Sequence, residues 1–297
     1  MKRVLLLLAV CFASLCAYPQ LGFIPSGYET LDTTALRVFY EFKYPPALRP
    51  VKQISGITVV DSVKTKELAD YMILEIGESG ISKFYSDNKR RLDSILTDVL
   101  KNPQKALLLR DNIMNSGIQK ADEHEIYKNY PVGKMTVTDQ AGLSAFLTEE
   151  NLNEIQWQMT TDTMTCLKYL CQKATCDFRG RHYEAWFAPD LPINDGPWKF
   201  TGLPGLILYA TDSENQYIFK AVGLENTRYP VRFTKREYVK TTRKEVDKIK
   251  KRFAEDPLGQ ISNSVPGVNI PNSIPLGNGV EINRNDLKMI YDPMELE

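Results

Sequence analysis

Histidine is almost missing from this chain: His124 and His182 are the two it has. A histidine-rich metal centre is therefore excluded, because such sites draw several imidazoles to one ion. There is no H-E-x-x-H, no phosphate loop and no G-x-G-x-x-G, so zincin and nucleotide-dependent chemistry lack their marks, and no metal and no cofactor are expected. Basic excess is also lacking. Lys plus Arg and Asp plus Glu each number 37, a balance that gives no electrostatic reason to bind nucleic acid. No apolar run beyond the N-terminus approaches 18 residues, so no transmembrane span is expected in the mature chain. Cysteines are few: Cys11 and Cys16 lie in the N-terminal apolar run, leaving Cys166, Cys171 and Cys176. Their spacing does not match the paired C-x-x-C of a zinc site.

What is present begins with an export signal. Lys2 and Arg3 precede the apolar stretch Val4–Val10 and Cys11–Ala13, and the small residues Ser14, Cys16 and Ala17 follow. Cleavage is expected after Ala17. This leaves 18–297 as one domain with 35 basic and 37 acidic side chains, a net charge of −2 once Lys2 and Arg3 are gone. The exported chain is expected in the periplasm, at the outer membrane or outside the cell. Export also meets oxidising conditions. If the chain turns near Cys171, Cys166 and Cys176 face each other across two strands, so a Cys166–Cys176 disulfide is expected, with Cys171 left as a small buried apolar group.

Along the chain, 18–34 reads as an irregular lead-in. Leu36, Val38, Tyr40 and Phe42 then alternate with Arg37, Phe39, Glu41 and Lys43, the period of a half-buried strand. Asp70–Ile76 and Ile81–Ser86 flank a Gly-Glu-Ser-Gly turn and make a hairpin. Leu92, Ile95, Leu96, Val99 and Leu100 have helical spacing, and Asn102-Pro103 predicts a second helix to about Met114. Asp122–Glu125 reads as a solvated acidic loop, and Thr148–Leu152 as a turn or short helix. Ile155–Met159, Cys166–Cys171 and Ala174–Phe178 are short β segments, and 182–187 is a strong strand. Thr242 and Glu245 have capping-box spacing at the start of a basic helix. The Pro- and Gly-rich stretch 257–279 reads as a flexible loop. Turns rather than regular βαβ crossovers join the strands. The fold class expected is mainly β (α+β): an antiparallel, concave or half-barrel-like sheet with a helical insertion and a C-terminal helix.

The densest stretch is Ala185–Leu208, where two Trp, four Pro and three Gly fall within 24 residues. Pro204 and Gly205 fit the central positions of a type II turn, which requires positive φ at the second. The stretch carries Gly202-Leu203-Pro204-Gly205-Leu206-Ile207. Around it stand Ile155-Gln156-Trp157, Cys171-Gln172-Lys173-Ala174, Gly180-Arg181, Ala185-Trp186-Phe187, Pro192-Ile193, Gly196-Pro197-Trp198-Lys199-Phe200 and the terminal Pro293–Glu297. On these residues the chain resembles the GLPGLI family of exported Bacteroidota-type proteins. The resemblance implies export, a mainly β domain and an envelope or secreted role. It brings no activity and no catalytic residues.

Three readings of function follow. The first is a non-catalytic binding or envelope-accessory protein that takes an apolar or glycan-like ligand or an envelope protein, with Trp186, Trp198, Arg181 and Asp195 as binding residues. The second is a glycan-directed hydrolase using carboxylates among Glu184, Asp190 and Asp195, or a less favoured Cys171–His182 pair. The third is a structural protein-partner module. For the 202–207 motif itself, a rigid crossover between strands is favoured over a ligand-facing role.

Overall fold

The alternation of side chains along the strands builds one large sheet with two different faces. The computed structural model describes residues 25–43, 52–54, 57–59, 69–102, 122–264, 271–277, 280–283 and 293–296. The expected N-terminal signal and the helix expected after Pro103 lie outside them. Strands β1 (Gly27–Lys43), β4 (Ala69–Gly77), β5 (Ser82–Ser86), β6 (Glu125–Lys128), β7 (Lys134–Ala141) and β8 (Ser144–Asn151) form one half. The other half holds β9 (Gln158–Cys166), β10 (Tyr169–Phe178), β11 (Arg181–Ala188), β12 (Leu206–Asp212) and β13 (Ile218–Asn226). With β14 (Pro230–Lys235) and β15 (Tyr238–Lys240) they make a 13-stranded sheet in the order β15-β8-β7-β6-β5-β4-β1-β13-β12-β11-β10-β9, β14 pairing with β1. Every pairing in it is antiparallel except β15 with β8. The sheet is open, with β15 and β9 at its ends, and does not close into a barrel. The short strands β2 (Lys52–Ile54) and β3 (Ile57–Val59), and β16 (Ser273–Gly277) and β17 (Val280–Asn283), form separate two-stranded pairs.

Among the described residues there are three helices: α1 (Asp87–Lys101), α2 (Arg243–Glu255) and α3 (Pro257–Ser264). None is long and apolar enough to cross a membrane. The Ser86 hydroxyl accepts the Lys89 amide at the start of α1 (2.9 Å), and α1 stops before Pro103, whose ring disfavours helix at the preceding residue. Thr242 caps α2, as the capping-box spacing predicts, its side chain accepting the Glu245 amide.

Several boundaries differ from those read off the sequence. Strand β1 begins at Gly27, inside the expected irregular lead-in, because its first half pairs with β14. Thr148–Asn151 is not a turn but the end of β8, held by β7 through Thr148↔Val137 to Asn151↔Lys134. The stretch from Pro257 is not simply a loop: it opens with α3, where proline occupies the first helical position and its missing N–H costs nothing, and it also contains β16.

Strand register decides the faces, since directly opposed residues share one. On one face Val38, Tyr40 and Phe42 stand with Leu74, Met72, Phe84 and Ile126, all buried. The segment between β11 and β12 lies over this face and closes the core with Trp198, Phe200 and Leu203. Phe200 touches Tyr183 (5.0 Å between rings), Trp198 (5.1 Å), Trp157 (5.8 Å) and Phe219 (6.2 Å). The Tyr40 hydroxyl donates to the Ile207 carbonyl (2.7 Å), tying the motif to the central strand.

Candidate functional site

The opposite face of the same strands is polar and aromatic. One rung across β1, β4, β5 and β6 reads Arg37, Glu75, Lys83, Tyr127, and the next reads Phe39, Ile73, Tyr85, Glu125. β14 crosses over this face. The Lys83 ammonium donates to the Arg232 carbonyl (3.1 Å), and the Thr234 amide donates to the Tyr127 hydroxyl (3.1 Å). α1 forms the other wall. Between them lies a cavity of about 990 Å³, lined also by Tyr28, Tyr71, Tyr229, Arg232 and the α1 residues Asp87, Arg90, Asp93, Ser94, Thr97 and Asp98.

The floor is charged but internally neutralised. Arg37 reaches Glu75 (2.6 Å), and the Tyr85 hydroxyl donates to the same carboxylate oxygen (3.0 Å). Lys83 stands 3.4 Å from Glu125, which also accepts from the hydroxyls of Tyr127 (2.5 Å) and Thr234 (3.2 Å). Burial would raise the pKa of Glu125, but Lys83 and these two hydroxyls outweigh it and hold the carboxyl below its usual range. The rim is aromatic and open. Tyr28, Tyr71 and Tyr229 are more than half exposed (58%, 58% and 54%). Arg37 lies over the Tyr229 ring at 4.9 Å and Arg232 over Tyr28 at 5.9 Å. Chemically the cavity offers flat apolar rings at the edge and fixed hydrogen-bonding groups below, which suits binding and orientation.

The residues singled out from the sequence lie elsewhere. Asp195 is buried and its carboxylate holds Lys128 (2.6 Å), whose ammonium also donates to the carbonyls of Gly196 (2.5 Å) and Phe200 (3.0 Å). Trp198 is buried in the core, with φ 51. Arg181 pins the C-terminal segment by donating to the carbonyls of Pro293 (3.2 Å) and Met294 (3.1 Å), while pairing with Asp212 (3.4 Å). Trp186 is half-buried, with Lys173 5.8 Å from its ring. None of the four lines the cavity.

The carboxylates considered for hydrolysis sit in three unlike environments. Glu184 pairs with Lys173 (2.9 Å), Asp190 is exposed and Asp195 is buried against Lys128. Cys171 and His182 do not meet. His182 is opposite Asp177, six residues along β10 from Cys171 and so about 20 Å away.

Three further corrections concern local chemistry. Cys166, Cys171 and Cys176 are free thiols, so the expected Cys166–Cys176 bridge is not formed. The turn falls at Leu167-Lys168, not at Cys171, and register places Cys166 opposite Tyr169 and Cys176 opposite Tyr183. Gly205 is not among the positive-φ residues, so a type II turn at Pro204-Gly205 is absent. The positive φ belongs to Gly202 (102°). Gly205 is needed for room, because a β-carbon there would lie 2.3 Å from the Ala188 carbonyl oxygen. Finally, 122–124 is a loop with Glu123 exposed, as expected, but it is not simply solvated. His124 bonds Asp122 (2.7 Å) and Asp139 (3.1 Å), and Lys250 of α2 bonds Asp139 (2.8 Å).

Sequence reasoning missed the cavity because it followed the apolar partners of each alternating strand. The available signal was the other set: Arg37 and Glu75 are charged residues inside strands, each flanked by apolar neighbours facing the opposite way, and Lys83 lies between Ser82 and Phe84 in the next strand.

The fold and cavity thus define an open antiparallel sheet protein, with one face sealed by a loop and a cavity on the other. A family model described as a protein of unknown function (Porph_ging) matches residues 178–209. That segment runs from the end of β10 through β11 and the covering loop into β12. It contains the 202–207 motif and is compatible with a GLPGLI-type family. No curated protein matches the chain. Among solved structures, PNGF-II in two crystal forms is similar at 12% identity, with TM-scores of 0.46 and 0.45, over 73% and 74% of this chain and 32% and 33% of that one. The chain spans about a third of the length of PNGF-II, and a likeness of this size carries no argument about function.

Proposed function

We propose that this protein is an exported, non-catalytic binding protein of the cell envelope that holds a glycan-like ligand in the cavity between α1, β14 and the polar sheet face. One observation carries the reading: Tyr28, Tyr71 and Tyr229 stand more than half exposed around a cavity of about 990 Å³ whose floor charges are already paired. Sugars present apolar C–H faces to aromatic rings and hydroxyls to fixed polar groups, and this cavity supplies both. A purely apolar ligand would leave Arg37, Glu75, Lys83 and Glu125 facing hydrocarbon, a desolvation that such a ligand does not offset. Export is supported by the charged and apolar N-terminal segment 1–17.

The floor favours binding over hydrolysis. A glycosidase needs one carboxyl kept protonated as the acid, whereas Glu75 and Glu125 are each held by a cation and hydroxyl donors. Titration of protein with ring-labelled tyrosine against neutral and uronic-acid oligosaccharides, followed by NMR, tests the reading. Tyrosine signals are expected to shift, and Tyr71→Ala to weaken binding on the order of tenfold, about 1.4 kcal/mol, the scale of one good aromatic contact. If no oligosaccharide moves the signals, or Tyr71→Ala binds as tightly as the parent, the glycan reading fails. Release of reducing ends from the same oligosaccharides would instead establish a hydrolase.

A further inference from the structure

We propose that Cys166 and Cys171 are a redox pair, poised across the β9–β10 hairpin so that a disulfide oxidant converts them to an intra-hairpin bridge. The proposal does not depend on the cavity or its ligand.

Register makes the pairing. Cys166 faces Tyr169 and Cys171 faces Met164, so the two cysteines are diagonal neighbours on one face, two residues from direct opposition. Diagonal α-carbons in a flat ladder are about 7–8 Å apart, slightly beyond the usual range for a disulfide. Here the tight connection Leu167-Lys168, with Leu167 at φ 54, lies beside the pair. Strong local twist brings one diagonal of a two-stranded ribbon closer. The Cys171 thiol donates to the carbonyl of Tyr169 (3.7 Å), the residue directly opposite Cys166, so its sulfur is turned toward the Cys166 end of the hairpin. The interaction between the two side chains holds the Cys171 thiol below its usual range and raises that of Cys166. Cys176 has no such partner. It lies five residues farther along β10, about 16 Å from Cys171, opposite Tyr183 in the core.

Accessibility sets the order of the steps. Cys171 is fully buried, while Cys166 is half-buried at the end of the edge strand β9. An external disulfide R–S–S–R therefore meets Cys166 first: Cys171 is the more readily ionised thiol but is out of its reach. The Cys166 sulfur bonds to one R–S sulfur, the oxidant's S–S bond breaks, and the other sulfur leaves as thiolate and takes the proton that Cys166 lost. The Cys171 sulfur then attacks Cys166, displacing the second R–S⁻, which takes the Cys171 proton. Two thiols lose two electrons and two protons, and the oxidant becomes two R–SH. The bridge would lock the hairpin at the open edge of the sheet, where Met159, Leu167 and Leu170 are exposed.

Trypsin separates the three cysteines into fragments 135–168, 169–173 and 174–179, because Lys168, Lys173 and Arg179 fall between and after them. The full chain is equilibrated with oxidised glutathione, its free thiols are blocked with N-ethylmaleimide, and the digest is read by mass spectrometry without reduction. Fragments 135–168 and 169–173 are expected joined, two hydrogens lighter than their sum, with Cys176 blocked by maleimide. Cys176→Ser is expected to keep that link. Cys171→Ser is expected to hold glutathione on Cys166 instead. A link to 174–179, glutathione on Cys166 of the unmutated chain with no internal link, or all three cysteines carrying maleimide overturns the proposal. The unmutated chain and Cys176→Ser decide the matter even if Cys171→Ser does not fold.

Discussion

Replacing Gly205 by alanine should destabilise the fold for reasons of space rather than backbone angle. A β-carbon there would lie 2.3 Å from the Ala188 carbonyl oxygen, 2.7 Å from its carbonyl carbon and 3.1 Å from Phe187 Cδ2. Ordinary contacts between such atoms are about 3.5 Å, so the new carbon would sit roughly 1 Å inside two backbone atoms. Relief requires β12 to move away from β11 where Ala188 pairs with Leu206, and where the Leu206 amide donates to the Leu191 carbonyl (2.9 Å). Overpacking of this kind costs about 1–3 kcal/mol, and one weakened backbone hydrogen bond adds about 1 kcal/mol, giving roughly 2–4 kcal/mol. With a urea slope of about 3 kcal/mol/M, the midpoint should fall by about 1 M. Gly133 supplies the contrast, with φ 74 and open space where a β-carbon would go. Gly133→Ala should cost only the left-handed strain of about 1–2 kcal/mol. Asparagine separates the two causes, since it tolerates positive φ but is larger. Gly133→Asn should be milder than Gly133→Ala, and Gly205→Asn at least as damaging as Gly205→Ala. An unchanged midpoint for Gly205→Ala, or rescue by Gly205→Asn, would refute the steric argument.

Two further outcomes test the charged interior. Lys128→Met strands the buried Asp195 carboxylate and should cost about 3–5 kcal/mol, with partial recovery when Asp195→Asn is added; a urea midpoint equal to the parent's would show that the Lys128 contacts carry no weight. For His124, burial alone would lower the pKa, but the carboxylates of Asp139 and Asp122 overturn this and push it up to about 10. A folded pKa above the unfolded value of about 6.5 contributes stability that is complete below pH 6.5 and lost as pH rises through about 10. The imidazole signal in NMR should therefore stay constant from pH 5 to 8, and a midpoint near 6.5 would show that the network does not hold its charge.

Much of the fold was legible in local pattern. The alternation from Leu36 to Lys43, the hairpin through Gly77–Gly80, the helix after Ser86 and the Thr242 cap all depend on neighbours in sequence, and each appears where that pattern puts it. What failed depended on partners far away. The first half of β1 has no strong alternation and is a strand because β14 lies beside it. Thr148–Asn151 is polar enough for a turn, yet β7 supplies its ladder. The Cys166–Cys176 pairing failed because moving the turn from Cys171 to Leu167-Lys168 changes which residues face one another. Asp195 looked like a site residue because acidic groups beside tryptophans suit sugars. Its partner Lys128 lies 67 residues earlier and removes it from solvent.

By itself the sequence determined the class of structure: periodicity of two selects strands, and the Pro- and Gly-rich segment 188–205 cannot continue them, so it must cross between β11 and β12. It also determined that the segment would carry aromatic bulk into a core. Only the tertiary structure decided which sheet face that bulk would seal, and hence which face was left to form a cavity. The physical reason is that both faces of β1, β4 and β5 carry large side chains. Their assignment to core or cavity comes from what packs over them: α1 follows directly from β5, but the covering loop and β14 arrive from distant parts of the chain.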